Sequence, residues 1–369
     1  MRMETAGEKP ESGRESGKQM PERNPVLGSR GQSVSSLGVF ETTDPDRRKE
    51  QEDMKSKYYH VDGAMVVSVD TGYGNTKTAH RVFRSSVQAS DNPPVFSKDY
   101  IEYRGKYYIV GEGHKSFIAD KVTDDDNYIL MLAAVAKELE CRGMDRAKIY
   151  LAVGLPLKWV SVQKESFRKY MFRDRHVEYR YKDKAVSIEI VGCAVMPQCY
   201  SAVAMSLKDF KGMNLLADLG NGTLNIMYLN DGKASESQSW TEQFGVNQCV
   251  IRICNEVRDA TGYDMPADMV EQYLRRGTAD ISENYEKIMH DVAVRYVKEV
   301  FDKLRDYKYN PDIMQLHFMG GGAKIVQRFG EYDKERTHFI TDICATAKGY
   351  EYYCYIAMKR KNEAEKRRR

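Results

Sequence analysis

The sequence predicts an α/β protein in which two similar domains surround a cleft. Strand-like and helix-like patterns alternate from Val66 onward, as in α/β folds. A turn of the form Asp-x-Gly-x-Gly joins two strand-like segments at Asp70, and a second one does so at Asp218. The two turns lie 148 residues apart, which is about one domain length. The pattern therefore indicates a duplicated domain whose two turns face each other.

The predicted elements follow the hydrophobic period and the turn residues along the chain. Gly105 is predicted to turn a hairpin, Gly143 to cap a helix, and Gln198 to open a helix directly after Pro197. Predicted strands cover residues 65–70, 76–83, 100–112 (a hairpin), 148–156, 186–197, 213–233 (two strands around a turn) and 314–319. Predicted helices cover residues 127–143, 160–172, 245–262, 284–307 and 348–361, besides the one that starts at Gln198.

The composition is that of a globular protein. Of 369 residues, 41% are apolar and 30% are charged, and the formal net charge of +3 is too small to indicate nucleic-acid binding by the whole body. The longest apolar run, residues 129–136, is far shorter than the roughly 20 residues of a membrane-spanning helix. No signal peptide is recognisable, and the seven scattered cysteines, such as Cys193, are expected to pack as reduced thiols. We therefore expect a cytoplasmic protein without direct membrane contact.

Four regions are predicted from the changes in composition. Residues 1–60 are poor in aliphatic side chains and are predicted to form a disordered extension. Residues 61–212 form the first domain and residues 213–340 the second. Residues 341–369 form a helix that returns to the first domain and ends in a basic tail. We interpret this tail as a solvated helix end, with contact to DNA or to an acidic partner as the alternative.

The glycine-rich turns can form a cradle for a polyphosphate. Glycines let successive backbone N–H groups approach a phosphate closely, and Lys77 can add a point charge. A third turn, Gly-Gly-Gly at residues 320–322, lets a flat ring lie against the backbone. The predicted nucleotide-binding residues are Asp70, Thr71, Gly72, Tyr73, Gly74, Asn75 and Lys77 in the first turn, Asp218, Gly220, Asn221, Gly222 and Thr223 in the second, and Gly320, Gly321, Gly322 and Lys324 at the third.

Three residues are predicted to be catalytic. Asp70 and Asp218 are expected to hold Mg²⁺ through water, because this ion often binds few carboxylates together with phosphate oxygens. Gln198 is expected to orient the attacking water through its amide group. A solvent-facing glutamine at a helix start is the alternative for Gln198. A single turn of this kind is a weak signal, and the second copy makes it much stronger.

The chain resembles the actin superfamily of ATPases over about residues 66–358. The segments "VDTGYGNTK" and "ADLGNGTLN" resemble its two phosphate loops, and "FMGGGAKIV" resembles its adenosine motif. The segments "VMPQCYSAVA" and "DICATAKGYEYYCY" resemble its two connecting helices, the second with small residues at Ala345, Ala347 and Gly349. The resemblance implies an actin-like, ribonuclease H-like fold with duplicated domains around a nucleotide cleft.

Within the superfamily the chain is most similar to the ParM/StbA plasmid-segregation actins, through "LAVGLPLKWV" and "YIEYRGKYYIVGE". This resemblance implies hydrolysis of ATP or GTP with Mg²⁺, coupled to a homopolymeric filament in the bacterial cytoplasm. It also implies a DNA-binding adaptor protein at a centromere-like site, without direct DNA contact by this chain. Two features depart from the pattern: the ParM type can carry glutamate where Gln198 stands, and Tyr73 occupies a position where small residues are common.

Other functions of the same fold remain open. A sugar or pantothenate kinase is the main alternative, but it needs an aspartate base, and no aspartate occurs in residues 185–200. A chaperone-type ATPase would need a long β-rich domain after the nucleotide core. A relative that binds nucleotide without turnover is a further alternative. The charged segment 264–287 is expected to face either solvent or a neighbouring subunit.

Overall fold

The computed structural model describes residues 58–95, 99–112 and 125–368. Of the predicted disordered extension, residues 1–60, the part up to residue 57 lies outside the described residues. Its last residue, His60, instead belongs to the first strand.

The first sheet has the order β4-β3-β2-β8-β10-β9-β6-β7-β5, and β1 pairs with β2. Its centre is built from buried aliphatic residues of β2 and β8, which explains the continuous apolar runs in the sequence. The strands are β1 (His60–Val61), β2 (Ala64–Thr71), β3 (Asn75–Lys77), β4 (Val82–Arg84), β5 (Val87–Ser90), β6 (Tyr100–Tyr103), β7 (Lys106–Val110), β8 (Arg146–Leu155), β9 (His176–Tyr181) and β10 (Lys184–Pro197).

The second sheet has the order β13-β12-β11-β14-β15. Its strands are β11 (Met213–Leu219), β12 (Leu224–Asn230), β13 (Lys233–Glu242), β14 (Gln315–Met319) and β15 (Thr337–Phe339). Asp231 and Gly232 turn β12 into β13, both with positive φ, as the Asn-Asp-Gly sequence predicts.

The two sheets repeat one topology. In the first, β2 has the antiparallel strands β3 and β4 on one side and the parallel strands β8 and β10 on the other. In the second, β11 is flanked in the same way by β12 and β13 and by β14 and β15. Asp70 lies near the end of β2 and Asp218 near the end of β11. The predicted duplication is therefore present in the fold, and it gives the two aspartates equivalent positions.

The helices cover the sheets with apolar faces. The helices predicted at residues 127–143, 245–262 and 284–307 are confirmed as α1 (Asp126–Cys141), α3 (Val246–Thr261) and α5 (Glu283–Asp306). The helix after "GLP" begins at Leu157, earlier than predicted. Gly143 has a positive φ and follows the last turn of α1. The helices are α1 (Asp126–Cys141), α2 (Leu157–Met171), α3 (Val246–Thr261), α4 (Ala267–Arg276), α5 (Glu283–Asp306), α6 (Ala323–Phe329) and α7 (Ala345–Arg368).

The helix predicted to start at Gln198 is wrong. Cys199 has φ +67° and ψ −74°, and the Tyr200 N–H donates to the Gln198 carbonyl at 2.8 Å. This is a γ-turn, which reverses the chain and cannot begin an α-helix. Two short 3₁₀ turns, Tyr200–Val203 and Leu207–Asp209, follow it. We call residues 197–210 the connecting segment.

Other differences concern weaker patterns. The predicted strand 76–83 is two strands, β3 and β4, because the Thr78 N–H donates to the Arg81 carbonyl in a turn between them. The charged segment 264–287 is interrupted, since Gly277 ends α4 in the left-handed conformation. Strands β1, β5, β9, β13 and β15 were not predicted. Cys193 is buried, as expected.

Helix α7 packs on the first sheet and crosses the connecting segment. Tyr350 and Cys354 form a buried cluster with Val66 of β2 and Ala152 of β8. At the crossing, a methyl group on Gly349 would lie 1.7 Å from the Ser201 carbonyl oxygen. Only a glycine therefore allows this approach. None of the helices in the described ranges combines the length and apolar character that a bilayer crossing requires.

A buried ionic network lies between α1, α7 and β2. Glu351 accepts hydrogen bonds from the Ser68 backbone N–H at 3.2 Å and lies 3.8 Å from Arg142. Arg142 pairs more closely with Glu138, at 2.7 Å, and His80 also contacts Glu138 at 2.6 Å. Burial raises the pKa of Glu351 to about 7, and the negative charge of Glu138 adds to this effect. Arg142 lowers the pKa of Glu351 only in part, since it pairs more closely with Glu138.

Replacing Glu351 by glutamine should stabilise the protein at high pH. The folded state holds a proton on Glu351 more tightly than the unfolded chain, so stability from this group falls as pH rises from about 4.5 to about 7. We expect Glu351→Gln to raise the unfolding free energy at pH 8 by on the order of 1–3 kcal/mol. The gain should shrink towards pH 5. Urea unfolding at both pH values measures this, with exposed Glu363→Gln on the same helix as the control; an equal effect of both variants would contradict the account.

Candidate functional site

Asp70 is the residue of the first turn (residues 70–77) around which the other side chains gather. It is buried at the end of β2, and the strand register places it opposite Lys77. The Lys77 ammonium donates to Asp70 Oδ2 at 3.0 Å, and the Gln198 side chain donates through Nε2 to Asp70 Oδ1 at 2.9 Å. Gln198 is itself largely buried. The solvent-facing alternative for Gln198 is therefore wrong.

Asp218 in the second turn (residues 218–223) is influenced electrostatically by the same lysine. Burial raises the pKa of Asp218 to about 6; the Lys77 charge lowers it, and the Asp70 charge raises it further. Burial would lower the pKa of Lys77, but Asp70 and Asp218 together hold it above its ordinary value. Two carboxylates and one ammonium thus lie close together, with a net negative charge.

The strained γ-turn also serves Asp218. The Cys199 backbone N–H lies near enough to Asp218 to lower the pKa of that carboxyl. Gln198 therefore contacts Asp70, and the next residue, Cys199, lies near Asp218. Sparsely populated backbone conformations concentrate at functional sites, and here the turn places two successive residues beside aspartates of different domains.

The glycine-rich turns meet around these aspartates. A methyl group on Gly74 would lie 2.9 Å from Asn221 Cβ, so the first and second turns touch. Gly320 of the third turn (residues 320–322) has φ +80°, and a methyl group there would lie 2.5 Å from Asp218 Oδ1. The Gly322 N–H donates to the Leu219 carbonyl at 2.9 Å. The structure therefore brings all three predicted turns together.

The remaining predicted residues lie along the same turns. Tyr73 is half-buried, and its ring packs edge-on against Trp159 of α2 at 6.5 Å. Lys324 is exposed on α6, and Gly321 has open space beside it. Their roles in nucleotide binding stay predictions. The others on these turns are Thr71, Gly72, Asn75, Gly220, Gly222 and Thr223.

The donor set is suited to a hard cation. Carboxylate oxygens are the protein ligands that Mg²⁺ prefers, with water and phosphate oxygens completing its shell. Within the described ranges, no group of three or more His, Cys, Asp or Glu side chains is arranged to hold a metal ion. Asp70 and Asp218 alone would thus bind such an ion weakly, and a bound phosphate would supply the missing ligands.

An ionic clasp joins the two domains beside the turns, and sequence reasoning missed it. Arg84 of β4 donates to Asp268 Oδ1 at 2.8 Å and to Glu271 Oε2 at 3.2 Å, both on α4. Arg84 lies opposite Asn75 in the strand register, so it is tied to the first turn. The partners are 184 and 187 residues away, and no local sequence pattern could have indicated this contact.

The fold and the cleft define an actin-like protein. A family model described as "Actin like proteins N terminal domain" matches residues 68–200, and one described as "Archaeal actin homologue MreB-like, C-terminal" matches residues 216–331. The chain therefore belongs to the actin-like protein family. This confirms the resemblance to the actin superfamily that the sequence indicates.

Solved structures agree on the fold. The archaeal actin homologue Ta0583 in complex with ADP has a TM-score of 0.62 and 20% identity, over 78% of this chain and 98% of its own. The Alp12 filament structure has a TM-score of 0.58 and 18% identity, over 79% and 98%. Bacillus thuringiensis ParM with ATP has a TM-score of 0.58 and 12% identity, over 81% and 99%. No curated protein matches the chain in sequence.

If the cleft binds a nucleotide, removing the clasp should speed the release of that nucleotide. Arg84→Ala leaves the turns intact but removes ion pairs that must break when the cleft opens. Because these pairs are partly exposed, we expect only about a 2- to 5-fold faster release, and the difference should fade at high salt. Stopped-flow displacement of a fluorescent ATP analogue measures the rate.

Arg295→Ala is the matched control for the clasp. Arg295 pairs with Glu256 at 2.6 Å within the second domain alone. Its removal should leave the release rate unchanged. If both variants release nucleotide at the wild-type rate, the clasp does not restrain the cleft.

Proposed function

We propose that this chain binds ATP or GTP with Mg²⁺ in the cleft, hydrolyses it, and assembles into filaments with copies of itself. The observation that carries the proposal is the convergence of Asp70, Asp218, Lys77 and Gln198 with three glycine-rich turns at the junction of two repeated domains. Such an arrangement supplies backbone donors for phosphates and carboxylates for a metal at one point.

The charges of the cleft favour a nucleotide with its cation. Two aspartates with one lysine leave a net negative charge beside a phosphate cradle, so a polyphosphate needs a divalent cation between it and the carboxylates. Asp70 and Asp218 would hold this ion through water, and the ion would neutralise charge on the transferring phosphoryl group. Lys77 can exchange Asp70 for a phosphate oxygen, because it lies on the same turn.

Gln198 supports hydrolysis rather than transfer to a small molecule. A carboxamide orients water but is too weak a base to activate a substrate hydroxyl. Its Nε2 is already held by Asp70, so its orientation is defined before nucleotide arrives. Water bound at this amide would lie beside the phosphate turns.

The filament part of the proposal rests on the family and on the resemblance to ParM. Nucleotide-dependent polymers of this chain would position plasmid DNA in the bacterial cytoplasm through a DNA-binding adaptor at a centromere-like site. Direct contact between this chain and DNA is not part of the proposal. The similarity to the filament-forming Alp12 supports self-association.

Mixing the purified protein with ATP or GTP and Mg²⁺ should raise light scattering and release phosphate. Chelation of Mg²⁺ should abolish the release, because the carboxylates then repel the phosphates. Scattering and phosphate release are followed in the same sample. If scattering stays flat while phosphate moves to an added sugar or pantothenate, the chain is a kinase of this fold instead.

Two substitutions separate binding from chemistry. Asp218→Ala should reduce phosphate release to background, whereas exposed Asp259→Ala on α3 should not change it.

Gln198→Ala should slow phosphate release on the order of 10- to 100-fold and assembly much less, giving longer-lived polymer. Equal losses of assembly and hydrolysis in Gln198→Ala would contradict its role in orienting water.

A further inference from the structure

The hydroxyl of Tyr350 is a buried polar group that the proposed function does not use. The side chain on α7 is completely buried, and its hydroxyl completes no hydrogen bond within the described residues. A buried hydroxyl without a partner loses its hydration without compensation. Such a group in a native fold needs an explanation.

Gly154 makes room for this hydroxyl. A methyl group on Gly154 would lie 1.9 Å from the Tyr350 hydroxyl oxygen and 2.1 Å from the ring carbon that carries it. The phenol therefore passes directly over the backbone at the end of β8. This explains the glycine of the "GLP" segment, which the sequence alone leaves as a strand end.

Gln198 is hydrogen-bonded to the residue that follows Gly154. The strand register puts Gly154 opposite Met196, and the Gln198 N–H donates to the Leu155 carbonyl at 2.9 Å. Burial, together with the charges of Asp70 and Asp218, raises the pKa of Tyr350 well above its ordinary value, whereas the Gln198 side chain lowers it. Gly154 and Leu155 are successive residues, so the hydroxyl lies beside the backbone that also holds Gln198.

We propose that Tyr350 is a positioning residue whose hydroxyl oxygen accepts a hydrogen bond from the Gln198 carboxamide nitrogen. This nitrogen carries two hydrogens; one is donated to Asp70, and the other is left for Tyr350. Apo sites often hold such bonds long, and they tighten when substrate binds. With both hydrogens of its nitrogen engaged, the carboxamide presents its oxygen to the water in one orientation. This inference rests on the proposed hydrolysis and adds a residue to it.

Tyr350→Phe tests the inference, because it removes only the hydroxyl and keeps the ring packed. We expect phosphate release at saturating nucleotide to slow by about 3- to 10-fold, the value of one neutral hydrogen bond. Nucleotide affinity and the critical concentration for assembly should stay at wild-type values. Tyr296→Phe is the matched control, because the Tyr296 hydroxyl is also buried without a partner but lies in the second domain's core.

A double-mutant cycle separates positioning from a structural effect. If Tyr350 acts through Gln198, then Tyr350→Phe should have no further effect on phosphate release in the Gln198→Ala background. Gly154→Ala, which displaces the phenol, should reproduce the slower release at unchanged affinity. Wild-type release by Tyr350→Phe, or effects that multiply in the double variant, would overturn the inference alone. A wild-type protein that releases no phosphate would overturn the hydrolysis proposal and this inference with it.

Discussion

The charge of Lys77, which is hydrogen-bonded to Asp70 and acts electrostatically on Asp218, is the interaction on which the cleft depends. Asp70 and Asp218 come from different domains, and their carboxylates would repel each other without a cation between them. Lys77 supplies one positive charge for two negative ones, and burial, opposed by Lys77 and reinforced by Asp70, raises the pKa of Asp218 to about 6. A buried charge pair contributes little stability in itself. The arrangement is better explained as a site that is completed when a further cation arrives with its phosphate.

The repeated topology places these charges, and one difference between the repeats sets their balance. In the first domain the register pairs Asp70 with Lys77, and in the second it pairs Asp218 with Asn225. Asn225 is neutral and accepts a hydrogen bond from Thr241 at 2.8 Å. A second lysine at that position would neutralise the cleft. The asymmetry therefore preserves the need for a divalent cation, although the backbone of the two repeats is the same.

The sequence predicted what depends on local pattern and missed what depends on distant contacts. Both aspartate turns follow from apolar strands ended by glycines, and they lie where the duplication predicts. The helix at Gln198 was wrong because its apolar spacing is helical, while its backbone is fixed by contacts to Leu155 and Asp218 from other elements. The clasp of Arg84 and the approach of Tyr350 to Gly154 join residues almost 200 apart. No residue type within either segment indicates its partner.

The crossing of the connecting segment and α7 relates the position of the two domains to the position of the proposed catalytic residues. The connecting segment and α7 cross at Ser201 and Gly349, with backbone in direct contact. Tyr350 directly follows Gly349, Gln198 lies three residues before Ser201, and Cys199 lies near Asp218. Rotation of one domain against the other about this point would shift the donors of Gln198 and Cys199 relative to the two aspartates. Closure of the cleft and alignment of the carboxamide are then one movement, because the successive residues Gln198 and Cys199 take part in both.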